Sequence, residues 1–347
     1  ADKIQEECGV EGDVIPMSFI INNGDQDPAI LINGFGEGYG DTADHFAVTD
    51  EGEVIYTAVQ EGYKEGIAWL HKLVEEDLVD PEAFTQEWST YVAKGKNHRY
   101  GLCFTWDIAN IDNYDDYVML PALAGPDGLV NITRQNNSET SGFERGRCVL
   151  TTSCRDTALA AAWIDQMYAP LQSVQNNWGT YGEEGKPNIF EMSTNSEGGE
   201  MLKHEDLGDN SPVEVRESQS VNGPLAVLND YYDVYVTQPD DAKWRLDNMH
   251  ETYLEDMHSQ YVYPNVFMSI DDTNKVSQYD TDIKKYAEQK KADWILNGGI
   301  EEEWDSYLEK MEDYGLSDYL AIKQKYFDQY QESLTQENTA ATQDTQS

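Results

Sequence analysis

The apolar positions of residues 61–84 predict an amphipathic helix that lies on a core. Four apolar residues recur there at helical spacing, with lysines and glutamates on the opposite face: Tyr63, Ile67, Leu70 and Val74. The pattern breaks at Asp80-Pro81, because a residue that precedes proline is driven out of the helical region. We therefore predict that the helix ends near Asp77 and that a second helix starts at Pro81, with Asp80 as its cap.

The C-terminal part of the chain repeats this aromatic-rich helical pattern three times. Helices are predicted over residues 280–296, 301–314 and 317–331, each with an apolar stripe facing a core. Gly315 is the expected C-cap of the second of them. Short apolar runs predict strands over residues 17–21, 53–59 and 100–107. The polar residues 191–223 show little periodicity and are expected to form an extended surface loop.

The charge of the chain limits the kind of partner it can have. Its 347 residues carry 66 acidic and 23 basic side chains, which gives a net charge of −43. Nucleic acid and anionic membrane surfaces would be repelled, so we predict neither as a partner. The 8 Trp, 22 Tyr and 9 Phe residues nevertheless indicate a folded protein with an acidic exterior.

Motifs of catalysis and metal binding are missing from the sequence. It contains no Gly-x-Ser-x-Gly elbow, no His-Glu-x-x-His and no phosphate-binding loop. His250 and His258 lie two helical turns apart, too far to share a metal. Pairs of carboxylates, such as Asp115-Asp116, are too frequent in so acidic a chain to identify a glycoside hydrolase. We therefore predict a protein that is not an enzyme and has no metal site.

Aromatic residues at the ends of elements are the candidate ligand contacts. Trp106 and Asp107 end the strand predicted over residues 100–107, and Trp178 and Tyr181 flank a glycine-rich turn. A rigid aromatic face suits the apolar face of a sugar ring, and a neighbouring carboxylate suits its hydroxyl groups. Two further candidates come from the glycine-rich loop 34–50 and from the strand after residue 128: Tyr39 and Arg134. Core packing of the tryptophans and a surface ion pair of Arg134 are the alternatives.

Motifs along nearly the whole chain, from Gly12 to Tyr330, occur in the order typical of one protein family. They include Tyr63-Lys-Glu-Gly66, Leu78-Val-Asp-Pro-Glu82, Gly125-Pro-Asp-Gly128, Trp163-Ile-Asp165, Tyr181-Gly-Glu-Glu-Gly185, Glu303-Trp-Asp305 and Gly315-Leu316. The chain resembles the extracellular solute-binding proteins (family 1) of bacterial ABC importers, in their oligosaccharide-binding lipoprotein branch. Its N-terminus corresponds to an internal position of that family, so most of the N-terminal lobe is expected to be lacking.

The resemblance implies an α/β fold, namely the periplasmic-binding-protein-like arrangement of two lobes with mixed sheets flanked by helices. The C-terminal lobe would dominate and end in a helical block. Residues 1–145 would form the first segment of the C-terminal lobe, and residues 146–178 would return to the N-terminal lobe and hinge. Residues 179–331 would form the second segment of the C-terminal lobe, followed by a disordered tail over residues 332–347.

The function implied by the resemblance is capture of an oligosaccharide in a cleft between lobes and its delivery to the permease subunits of an ABC transporter. The protein would be extracellular and held at the cell surface by a lipid anchor that lies outside this chain. No cofactor is predicted, but calcium stays an alternative, since Asp13 and Ile15-Pro16 match the end of the family's calcium loop. A surface adhesion or structural protein without a small ligand, or a glycoside hydrolase, are the alternative functions.

Overall fold

A computed structural model describes residues 14–37, 39–112, 114–133, 148–185, 188–207, 212–221, 224–258 and 262–344. The chain divides into two compact units. Unit 1 joins Ala1–Phe143 to Asn248–Ser347, and unit 2 comprises Glu144–Asp247.

Short strands and longer helices alternate through the described residues. The strands are β1 (Ile15–Met17), β2 (Phe46–Val48), β3 (Val54–Tyr56), β4 (Tyr100–Leu102), β5 (Ile132–Thr133), β6 (Phe190–Thr194), β7 (Glu200–His204) and β8 (Met257–His258). The α-helices are α1 (Glu61–Glu75), α2 (Trp88–Lys96), α3 (Thr157–Met167), α4 (Pro170–Trp178), α5 (Pro212–Gln219), α6 (Asp240–Tyr253), α7 (Ile270–Asn297), α8 (Ile300–Asp313) and α9 (Leu316–Asp344).

The strands of the described residues pair in twos. β1 pairs with β4 and β5 with β8 in parallel, whereas β2 pairs with β3 and β6 with β7 in antiparallel fashion. The predicted α/β class with mixed pairing and a helical C-terminal block is therefore confirmed. Within the described residues, no helix combines the length and the apolar character that crossing a bilayer requires.

Helix α1 is the centre of the unit 1 core, as its apolar stripe predicts. Tyr63, Ile67 and Leu70 are buried, and the helix packs on α7 and α8. It ends at Glu75, and Asp77 takes a left-handed backbone conformation with φ 56°. The boundary predicted from the proline is thus confirmed to within two residues.

The start predicted for the next helix at Pro81 is wrong. Residues 81–85 form turns, and α2 begins only at Trp88. Asp80 still caps a turn, since its Oδ1 accepts a hydrogen bond of 3.1 Å from the Glu82 amide. Its Oδ2 lies 2.6 Å from the ammonium of Lys94 on α2. Helix α2 thus begins later than local propensity predicts, and the Asp80–Lys94 contact is a tertiary interaction that local propensity does not include.

The three C-terminal helices are confirmed: α7 and α9 are longer than predicted, and α8 is shifted by one residue. Their aromatic stripes are buried: Trp294, Trp304, Tyr307 and Met311 are each at most 3% exposed. Gly315 follows α8 with φ 91°, a conformation that glycine adopts without steric cost. A side chain at this position would also meet the ring of Tyr279 at 2.6 Å. Helix α9 continues to Asp344 and so covers most of the segment expected to be a disordered tail.

Unit 2 is built around a β-hairpin that the sequence did not reveal. β6 and β7 occupy residues expected to form a surface loop, and α5 lies in the same stretch. The Asn195 side chain accepts hydrogen bonds from the Glu197 and Gly199 amides at 3.0 and 2.9 Å, which closes the turn between the strands. The core of unit 2 contains the following buried residues: Val174, Ile189, Phe190, Leu202, Val215 and Val236.

Candidate functional site

Trp106 projects from the turn that follows β4. Its side chain is 60% exposed, an unusual position for the largest apolar side chain in a folded domain. The turn is held from both sides of Asp107. The Thr105 hydroxyl donates to the Asp107 carbonyl at 3.0 Å, and the Asp107 carboxylate accepts from the Ala109 amide at 3.1 Å.

Asp107 therefore has a structural task next to Trp106. It is buried and caps the single 3-10 turn Ile108–Asn110. A carboxylate that is already bound to a backbone amide keeps lone pairs for a further donor. The arrangement can thus present an aromatic face with a fixed acceptor beside it, and Asp107 positions the backbone from which Trp106 projects.

Tyr39 lies at a second place in unit 1. It is half-buried and lines a cavity of about 270 Å³, together with Ile32, Phe35, Gln60 and Tyr63. Trp106 does not line this cavity. The helical stripe predicts Tyr63 as a core residue, and no motif indicates Phe35 or Gln60 as neighbours of Tyr39. No local signal shows this grouping, because it depends on the packing of the glycine-rich loop against the start of α1.

Trp178 and Tyr181 belong to unit 2 and differ in exposure. Trp178 ends α4, is half-buried, and packs its ring against Phe190 and His204, with centroids 6.4 and 5.9 Å away. Tyr181 is 38% exposed, and its backbone forms a bridge to that of Phe190. Tyr181 is thus the more accessible member of this pair, while much of the Trp178 ring contributes to the core.

His204 supports Trp178 from the strand side of unit 2. Its Nδ1 lies 2.9 Å from the Thr237 hydroxyl, and its ring contacts Phe190 at a centroid distance of 4.7 Å. Burial lowers the pKa of His204 to about 4, against a smaller opposing effect of Asp241. The imidazole is therefore neutral at physiological pH and acts as a packing group beside the candidate tryptophan.

A second cavity of unit 1, of about 170 Å³, was not indicated by any sequence motif. Asp44, Asn265 and Lys323 supply its polar walls, and Phe46 and Tyr263 supply aromatic ones. The Lys323 ammonium lies 4.4 and 4.7 Å from the ring centroids of Phe46 and Tyr263. Burial lowers the pKa of Lys323, but the contacts with two aromatic faces favour its charged form.

Arg134, the remaining candidate, lies outside the described residues, as do residues 7–13 of the segment compared with a calcium loop. Ile15 and Pro16 of that segment are described and belong to β1, whose partner β4 leads to Trp106. The position of β1 beside β4 follows from long-range pairing that no motif encodes.

Comparison with family models gave no match. The chain is, however, 47% identical over 322 residues to the fructooligosaccharide ABC transporter substrate-binding protein FusA of Streptococcus pneumoniae serotype 4. The match covers 92% of this chain and 58% of FusA. The chain thus spans less than two thirds of the length of this relative.

Solved structures agree with the sequence comparison. The complex of S. pneumoniae FusA with kestose superposes with a TM-score of 0.80 at 46% identity, over 93% of this chain and 64% of that one. An EF-hand mutant of FusA in complex with fructo-nystose gives a TM-score of 0.79 at 45% identity, over 92% and 64%. An HMO-binding solute-binding protein of Bifidobacterium longum infantis shares the fold, with a TM-score of 0.68 at 21% identity, over 92% of this chain and 66% of that one.

These relatives are substrate-binding proteins of transporters and not enzymes. Their likeness runs through both units of this chain, since it covers more than nine tenths of its residues. By sequence and by fold, the chain is similar to the substrate-binding proteins of ABC transporters over more than nine tenths of its length.

Proposed function

We propose that the protein captures a fructooligosaccharide outside the cell and delivers it to the permease subunits of an ABC importer. The observation that carries this proposal is the 47% identity with FusA, whose structure holds kestose. The net charge of −43 favours a neutral glycan over a polyanionic one. A lipid anchor at the cell surface is the family's means of keeping such a protein near its permease, and we extend it to this protein as a proposal.

Trp106 is the residue that we propose as the main aromatic contact of the sugar. Its exposed indole stands on a turn fixed by two hydrogen bonds, so little entropy would be lost when a sugar ring stacks on it. We propose Asp107, Tyr39, Trp178, Tyr181 and Arg134 as further contacts. Among these, Tyr181 and Tyr39 have accessible ring surface, whereas Asp107 is buried and would act mainly by positioning Trp106.

The assignment of residues 146–178 to the other lobe is part of the same proposal. Helix α3 of this segment is rich in apolar residues, yet none of them is buried. Leu159 is 69% and Trp163 is 56% exposed. A helix with this composition normally lies on a core, so we propose that it packs against the part of the lobe that the longer relatives contain.

The experiment is isothermal titration calorimetry of the full chain with kestose, nystose and maltotriose. We expect heat of binding with the two fructans and none with maltotriose. Trp106→Ala should weaken fructan binding by about 1–3 kcal/mol, the usual range for a buried aromatic anchor. Trp163→Ala removes an equally exposed tryptophan that is not a candidate contact, and it should leave the affinity unchanged.

Three results would count against the proposal. Absence of binding to every glycan would favour an adhesion or structural role. If chromatography shows that the glycan becomes shorter during incubation, a glycoside hydrolase would be favoured. Equal affinities of the two tryptophan variants would show that Trp106 does not contact the sugar. That result would leave the proposed transport function unaffected.

Calcium is a separate part of the proposal. The solved EF-hand mutant of FusA shows that the relative has an EF-hand, and Asp13 is the acidic residue of this chain that matches the family's calcium loop. Titration of the chelated protein with Ca²⁺ in the calorimeter tests the alternative directly. Binding that Asp13→Asn abolishes would establish calcium, and the absence of heat would support the prediction of no cofactor.

A further inference from the structure

Three side chains with metal-ligand chemistry converge in unit 1 at a place that the candidate sugar site does not use. His98 lies between α2 and β4, and Asp112 and Asp116 follow the 3-10 turn that Asp107 caps. The three residues offer one ligand atom each, and these atoms all lie within 4.8 Å of one another.

Close packing of two backbone segments brings these residues together. Gly95, near the end of α2, is so close to Ile111 that a Cβ on the glycine would lie 2.7 Å from the Ile111 carbonyl oxygen. His98 turns back over this contact, with φ 55° and its amide donating to the Gly95 carbonyl at 2.7 Å. The imidazole therefore reaches the residue that follows Ile111, which is Asp112.

His98 and Asp112 are already in direct contact. His98 Nδ1 lies 2.9 and 3.1 Å from the two carboxylate oxygens of Asp112, which is hydrogen-bonding distance. Ligand atoms of a tetrahedral Zn²⁺ with bonds of 2.0–2.2 Å are about 3.3–3.6 Å apart, so a small separation of the two side chains makes room for the ion. Asp116 is exposed, so rotation of its side chain can bring a third oxygen to the same point without disturbing the core.

Asp112 has the environment of an oriented ligand. Its side chain is only 3% exposed, although that of His98 is 59% exposed. The Tyr117 hydroxyl forms a side-chain hydrogen bond with Asp112 from outside the group of three. Hydrogen bonds of this kind orient a ligating carboxylate.

We propose that His98, Asp112 and Asp116 bind one divalent transition-metal cation, and that this cation is Zn²⁺. An imidazole ligand selects Zn²⁺ over Ca²⁺ or Mg²⁺, which take oxygen ligands. Two carboxylates balance the charge of the ion, and water supplies the fourth position of a three-residue site. The proposal does not depend on the proposed transport function.

Metal binding at this place would tie two parts of the chain that flank the candidate sugar contacts. His98 precedes β4, and Asp112 follows the turn capped by Asp107, so the loop between them contains Trp106. A metal that joins both ends of a loop reduces its freedom. The expected consequence is a more rigid platform under Trp106, in addition to the hydrogen bonds already present.

The test is calorimetric titration of the full chain with ZnCl₂ in the presence of millimolar Ca²⁺, which occupies any oxygen-only site. We expect one Zn²⁺ per chain. Asp116→Asn and His98→Gln should each weaken binding roughly 10-fold or more, since even loss of an outer-shell partner costs that much. His250→Gln removes another exposed histidine and should change nothing. Circular dichroism confirms that each variant is folded.

Cobalt gives a second readout that does not depend on heat. Co²⁺ in place of Zn²⁺ should produce visible absorption bands of a four-coordinate site in the unmodified chain, and Asp116→Asn should abolish them. The proposal is overturned if the chain binds no Zn²⁺, or if the His250 variant loses as much affinity as the other two. It is also overturned if all variants bind with equal affinity, because the ion would then be held by scattered surface acids.

Discussion

Replacement of Lys94 by methionine tests whether a buried charge network holds β1 and α2 together. The Lys94 ammonium lies 2.6 Å from Asp80 Oδ2 and 2.9 Å from Gln86 Oε1. Ser18 donates to the same Asp80 oxygen at 2.7 Å and accepts from the Gln86 amide at 3.0 Å. All four residues are buried, with exposures of 0–8%. The variant would leave a carboxylate without its counterion in the interior.

The expected loss is about 3–5 kcal/mol of unfolding free energy, the usual result of removing one partner of a buried ion pair. With an m-value of about 3 kcal/mol per M, the urea midpoint of unit 1 should fall by about 1 M or more. Lys275→Met is the matched control in the same unit. Lys275 is 61% exposed and lies 3.9 Å from Asp272, so its loss should cost less than about 1 kcal/mol.

The double variant Asp80→Asn, Lys94→Met separates the charge from the packing. Because it removes both charges, it should be more stable than Lys94→Met alone. Urea unfolding followed by tryptophan fluorescence measures the two lysine variants, Asp80→Asn alone and the double variant. A Lys94 variant as stable as the Lys275 control would refute the reasoning, and so would a double variant whose loss equals the sum of the two single losses.

Three further perturbations have outcomes that follow from the structure. Burial lowers the pKa of His204 to about 4 in folded unit 2, whereas its ordinary value, which applies to the unfolded chain, is about 6.5. Between these two pH values, the unfolded chain binds a proton that folded unit 2 does not bind. The free energy of unfolding of unit 2 should therefore fall by up to about 3 kcal/mol as the pH falls from about 6.5 to 4. Urea titrations of His204→Gln should show a weaker dependence on pH, and the same dependence in both proteins would contradict the lowered pKa of His204. Gly125→Ala should lower the melting temperature more than Gly128→Ala, because a Cβ at Gly125 would lie 1.8 Å from the Gly34 carbonyl oxygen. Gly128 has free space, so alanine there costs only the about 1–2 kcal/mol of its positive φ of 80°. The reverse order would be inconsistent with this close approach. Trp294→Ala should lower the free energy of unfolding by about 3–5 kcal/mol, as expected for a large buried side chain, since Trp294 is fully buried and donates to Glu303 at 2.8 Å. A loss below 1 kcal/mol in urea unfolding would show that Trp294 contributes little to the stability of unit 1.

Strong periodicity determined the helical parts of this protein from the sequence. Helices α1, α7, α8 and α9 each carry an apolar stripe long enough to require burial on one side, and the C-cap at Gly315 followed from its freedom to adopt a positive φ. The order of the motifs was sufficient to recognise the resemblance to solute-binding proteins of ABC importers, which the 47% identity with FusA confirms.

Short-range patterns were insufficient where long-range contacts decide the structure. Local patterns predict a loop where the hairpin β6–β7 forms, because its turn is closed by the Asn195 side chain and its inner face is buried only by distant residues such as Val174. Local signals likewise predict a start of α2 at Pro81, because they do not include the Lys94–Asp80 pair.

The sequence also pointed to the residue types of a sugar site but not to their surroundings. The exposure of Trp106, the capping role of Asp107 and the packing of Trp178 against His204 are properties of tertiary contacts. The meeting of His98 with Asp112 and Asp116 likewise depends on the close approach of Gly95 to Ile111. Periodicity records which side of an element is buried, whereas the partner that covers it is chosen by packing between segments far apart in the chain.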